Sequence, residues 1–161
     1  MKNNLKSLQE WPMWLTFLMG AVILAFYRWW AALLYALYVA GSLLWFMYFI
    51  CRYCGTSQVG HCESAIGHWS MALFPKRGKP QAFRRQFRRH IAVLFPDWFV
   101  PPIVGILVLV QRTFSLPLLI LIIIFCLVAF VVLPVLSNRK SCATCTMRRV
   151  CPWAKNTPAV K

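Results

Sequence analysis

Apolar residues run in four long blocks along this chain, at 11–27, 31–50, 91–111 and 114–136. Each block approaches the roughly 20 residues that carry a helix across about 30 Å of hydrocarbon. The pattern predicts an all-α integral membrane protein, a single membrane domain over 1–161 with four transmembrane helices. The fourth block is the strongest, with no charge between Leu116 and Val135. The first two are separated only by Arg28, Trp29 and Trp30, a combination that anchors helix ends at a bilayer surface. With no small-residue cleavage site, the first block reads as a retained span rather than a signal peptide. The third is less regular, because it contains Asp97 and the prolines Pro96, Pro101 and Pro102.

Two polar segments follow alternate blocks, a Cys-rich loop at 51–90 and a Cys-rich tail at 138–161. Inside the loop, Phe83, Phe87, Ile91 and Leu94 recur at helical spacing, with Arg84, Arg85, Arg88 and Arg89 on the complementary face. This spacing predicts an amphipathic interfacial helix lying among lipid head groups. It serves as a basic membrane anchor or, on a sharper reading, as a docking face for an acidic redox partner. With that helix lying flat, Asp97 is placed to N-cap the third span, with Pro101 and Pro102 in or near its first turn. The functional alternative is a carboxylate at membrane depth that handles protons or a polar ligand, a quinone among them.

Composition agrees with the blocks. The chain is 60% hydrophobic and 13% charged, with mean hydropathy +0.62, where a soluble domain carries about 25% charged residues. Three acids, Glu10, Glu63 and Asp97, face 18 Lys and Arg, for a net charge of +15. The basic residues flank the apolar blocks, so anionic lipid head groups are the expected partner and nucleic acid is not. Four crossings place the N-terminus, the loop and the tail on one side, with 16 of the 18 basic residues. Arg28 and Arg112 remain on the other. The positive-inside rule then puts both termini in the cytoplasm, with the protein in an inner or plasma membrane.

Six of the seven cysteines fall in two clusters on that same face: Cys51, Cys54 and Cys62 in the loop, and Cys142, Cys145 and Cys151 in the tail. Thiols in the cytoplasm stay reduced, so metal binding is expected before disulfides. A C-x2-C pair lets two sulfurs reach one centre from a tight turn. Two ligand sets are open. Each triplet forms its own site, the first completed by His61 or His68 and the second by an unidentified ligand. Alternatively, the two C-x2-C pairs combine into one four-thiolate centre. Spacing does not separate an iron–sulfur cluster from zinc. Arginines near the clusters would offset the negative charge of a thiolate-bound cluster, and Trp69 and Trp153 would shield it from water. His90 ends the arginine-rich helix and reads as interfacial. Cys126, in the middle of the fourth block, reads as a small packing residue.

Cys51, Cys54 and Cys62 after the second block, with Cys145, Cys151 and Pro152 after the fourth, give the chain a layout that resembles a known family. It is that of the membrane-bound, polyferredoxin-type iron–sulfur proteins that accompany periplasmic nitrate and nitrous oxide reductases. The family's C-x3-C-P spacing is absent here. The resemblance implies cysteine motifs at the cytoplasmic ends of alternate helices, electrons received from quinol or a reductant, and a place in a larger membrane redox complex. The reading is an electron-transfer subunit or accessory factor carrying iron–sulfur centres. The alternatives are a structural zinc-binding scaffold and a membrane thiol oxidoreductase using Cys51 and Cys54. No Ser or Cys triad, phosphate loop or paired-carboxylate site is visible, so a non-catalytic redox subunit is expected before an independent enzyme.

Overall fold

The computed structural model describes residues 2–54, 65–74, 78–111 and 115–136. Among them all regular structure is helical and there is no strand. The helices are α1 (Lys2–Tyr27), α2 (Trp29–Phe49), α3 (Ala65–Leu73), α4 (Phe83–His90), α5 (Phe95–Gln111) and α6 (Leu116–Leu127). Tight 3-10 turns at Cys51–Tyr53, Pro80–Ala82 and Ile91–Leu94 connect or extend them. A π-helical turn, Val128–Val132, and a last helical turn, Leu133–Leu136, prolong α6.

Three helical runs are long and apolar enough to cross a membrane: Trp29–Tyr53, Phe83–Gln111 and Leu116–Leu136. The apolar part of α1, Trp11–Tyr27, is shorter. The third run begins eight residues before the expected start at 91, because helical backbone continues from α4 through Ile91–Leu94 into α5. The basic amphipathic segment and the third span are therefore one helical run. Within it the predicted division of faces holds. Phe83 is buried and Phe87, Ile91 and Leu94 are half-buried, while Arg84, Arg85, Arg88 and Arg89 are exposed.

The chain forms two compact units interleaved in sequence. One contains the described parts of Met1–Glu10, Leu43–Ala92 and Val135–Lys161, and the other the described parts of Trp11–Ser42 and Val93–Pro134. The second unit has a core of Met19 and Ile23 from α1, Val108 from α5, and Leu118, Ile122, Phe125 and Ala129 from the α6 run. The last four are spaced four, three and four residues apart, so they share one face of their helix. The opposite face exposes Leu116, Ile120, Ile123, Leu127 and Val131. A helix apolar on both faces belongs in lipid, where backbone groups are satisfied within the helix and no polar outer face is needed.

Close packing in this core depends on Gly105. A Cβ there would lie 2.7 Å from Ile122 Cδ1 and 3.0 Å from Ile23 Cγ2, so both isoleucines would have to shift to admit it. A small residue at a helix crossing lets van der Waals contact do what water-driven burial does in a soluble core. In the other unit, buried Ser70 of α3 donates to the Met47 carbonyl of α2 at 3.2 Å, and Tyr48 packs edge-on against Phe74.

Candidate functional site

The first cysteine pair sits where α2 ends. After Phe49 the chain tightens: Tyr53 N–H donates to the Ile50 carbonyl at 3.1 Å and Cys54 N–H to the Cys51 carbonyl at 3.0 Å. Cys51-x2-Cys54 is thus one closed turn with a cysteine at each end, both half-buried. A C-x2-C turn is able to present two sulfurs to a single centre. Arg52 lies between them, its guanidinium 5.3 Å from the Tyr48 ring centroid.

Two thiols make half of a tetrahedral site. Among the described residues no three His, Cys, Asp or Glu side chains gather in a group that could hold a metal ion. His61, Cys62, Cys142, Cys145 and Cys151 lie outside the described residues, as does Trp153. His68 falls on α3, and Trp69 beside it is exposed. His90 stacks on Phe49 with ring centroids 4.3 Å apart and meets Trp45 edge-on at 5.6 Å. That aromatic cradle accounts for His90 as a packed residue. Cys126 is a half-buried thiol packed against the core cluster, as its position predicted.

A second polar constellation forms around Asp97, and here the expected helix cap is overturned. α5 begins at Phe95, so Asp97 lies inside its first turn. Its carboxyl does not turn back to its own backbone. Oδ2 meets Ser42 Oγ of α2 at 2.6 Å, and Oδ1 is buried with no hydrogen-bond partner. The residue is only 1% exposed.

The prolines explain why α2 supplies hydroxyls at this point. In an α-helix the Asp97 carbonyl would accept from the N–H four residues on, but that residue is Pro101 and has none. Tyr35 Oη donates to this carbonyl instead, at 2.8 Å. In the preceding 3-10 turn the Val93 carbonyl would accept from residue 96, also proline. Tyr38 Oη donates to it at 2.7 Å. Tyr35, Tyr38 and Ser42 stand three and four residues apart, hence on one face of α2. Gly20 of α1 leaves the space, since a Cβ there would come within 2.6 Å of Tyr35 Oη. The hydroxyl spacing along an otherwise apolar α2, and Asp97 four residues before Pro101, were the sequence signals for this site. Comparison with protein-family models, curated proteins and solved structures finds no match for the chain.

Proposed function

We propose that this protein is a four-crossing inner- or plasma-membrane electron-transfer subunit or accessory factor of a redox complex. In this reading it holds a cysteine-ligated iron–sulfur centre at its cytoplasmic face. The observation that carries the reading is the Cys51–Cys54 turn, closed by its own backbone hydrogen bond at the end of a helical run of membrane length. Either Cys142 and Cys145 complete one four-thiolate centre with this pair, or Cys62 with His61 or His68 completes a first site while Cys142, Cys145 and Cys151 hold a second. Zinc on the same thiolates is the second reading, and the half-site geometry suits either.

The fourth crossing is assigned to α1. Trp11, Trp14, Leu18, Val22 and Phe26 are exposed, while Met19, Ile23 and Leu24 are buried, so its apolar part is hydrophobic on both faces. Trp11–Tyr27 spans about 25 Å, at the short end of the membrane-crossing range. Four crossings bring 16 of the 18 basic residues to the cytoplasmic side, together with both cysteine clusters. The exposed arginines of α4 then meet anionic head groups or an acidic redox partner. A thiol oxidoreductase would need the opposite, oxidising side.

A membrane-impermeant maleimide tests this arrangement. In intact cells it is expected to leave Cys54 and Cys145 unlabelled, and to react with both, once metal is removed, after permeabilisation. Labelling of either residue from outside overturns the topology and restores the disulfide and thiol-oxidoreductase readings.

A further inference from the structure

The Asp97 cluster lies outside the cysteine chemistry, and its hydrogen bonds hold an ambiguity with a physical meaning. Ser42 Oγ has one proton and two acceptors within reach, Asp97 Oδ2 at 2.6 Å and the Val39 carbonyl at 2.9 Å. Both contacts are satisfied at once only if the carboxyl supplies the second proton. With Asp97 ionised, Ser42 donates to Oδ2 and leaves Val39. With Asp97 protonated, Oδ2–H donates to Ser42 Oγ, and the Ser42 hydroxyl turns to Val39. Each protonation state has its own complete arrangement at this contact, and a hydroxyl rotation converts one into the other.

The surroundings keep the switch local. Tyr35 is engaged by the proline-freed Asp97 carbonyl and Tyr38 by that of Val93, so neither hydroxyl is diverted to the carboxyl. These two tyrosines are the titratable groups that α2 turns toward Asp97. α1 contributes Gly20, which is not titratable, and α6 brings only the Cys126 thiol to the adjoining core. Among the described residues no cation pairs with the carboxyl. Ionisable groups kept inside a membrane domain without a counter-ion mark proton or ion pathways.

We propose that Asp97 is a proton-binding site of the membrane domain, taking up and releasing one proton while Ser42 switches its hydrogen bond between Asp97 and Val39. The proposal rests on the helices and their hydrogen bonds alone, and holds whichever metal the cysteines bind.

Asp97 is the only aspartate in the chain, so carboxyl-13C aspartate labels this one side-chain site. Infrared pH-difference spectra of the labelled, otherwise unaltered protein in lipid vesicles are expected to show a protonated-carboxyl C=O band that moves with the isotope and is lost on ionisation. The band is expected to be absent in Asp97→Asn. In Ser42→Ala it is expected to persist at a shifted frequency, because its hydrogen-bond acceptor is gone. A label-sensitive carboxyl signal that stays the same across the whole pH range would overturn the proposal. So would a protonated-carboxyl band that persists in Asp97→Asn with no component that moves with the label.

Discussion

Replacing Cys54 with serine is expected to release all of the bound metal, and replacing Cys145 is expected to do the same. The closed Cys51–Cys54 turn offers two thiolates to the proposed centre. A tetrahedral centre needs four ligands, and the second C-x2-C pair follows the other strongly apolar run at the same side of the proposed topology. On the shared-centre reading the four thiolates of these two pairs bind one metal centre. Because a metal site of this kind supplies folding free energy, either substitution is also expected to lower the thermal stability of the detergent-solubilised protein. Metal-to-protein ratios of the two single variants and the double variant check this. If each single variant keeps about half of the metal and only the double variant loses it all, there are two independent sites. That result would remove the shared centre and leave the thiolate reading in place.

The second large effect concerns packing. Phe125→Ala is expected to destabilise the protein by about 3 kcal/mol, the low end for emptying a buried phenylalanine site. Phe125 is fully buried at the centre of the cluster that joins α1, α5 and α6. In a bilayer the lost term is mostly dispersion contact, since lipid tails are as apolar as the side chain removed. The control is Ile123→Ala on the same helix, half exposed on the outer face. Lipid refills that space, so a change within about 0.5 kcal/mol is expected. Unfolding in mixed micelles with increasing denaturing detergent measures both. Equal effects at the two positions would show that the α6 run does not pack on the face assigned to it.

The helical class and the three helical runs of membrane length were legible because a bilayer imposes one dominant constraint, length of continuous apolar sequence, and blocks such as 116–136 satisfy it without ambiguity. The division of Phe83 and Phe87 from the four arginines was legible for the same reason, since helical periodicity sets which side chains share a face. The start of the third span was not. Arginine and histidine end an apolar block, but they do not end a helix, and the backbone runs through Ile91–Leu94 without a break.

The partner of Asp97 was not legible because capping logic is local. An acid ahead of prolines fits an N-cap, whereas its partner Ser42 stands 55 residues away in sequence. The evidence for that partner was split between two segments: hydroxyls at 35, 38 and 42 on α2, and carbonyls left without donors by Pro96 and Pro101. Neither half has meaning until the helices are side by side. The Cys51–Cys54 turn was legible from its C-x2-C spacing, while Cys62, Cys142, Cys145 and Cys151 lie outside the described residues.

The central claim is that these thiolates hold an iron–sulfur centre. Its most direct test is metal and acid-labile sulfide analysis, with visible absorption, of protein purified anaerobically from start to finish. The account predicts iron and sulfide together, with an absorbance that bleaches on reduction. Stoichiometric zinc with neither iron nor sulfide would contradict it and leave a structural zinc scaffold in its place.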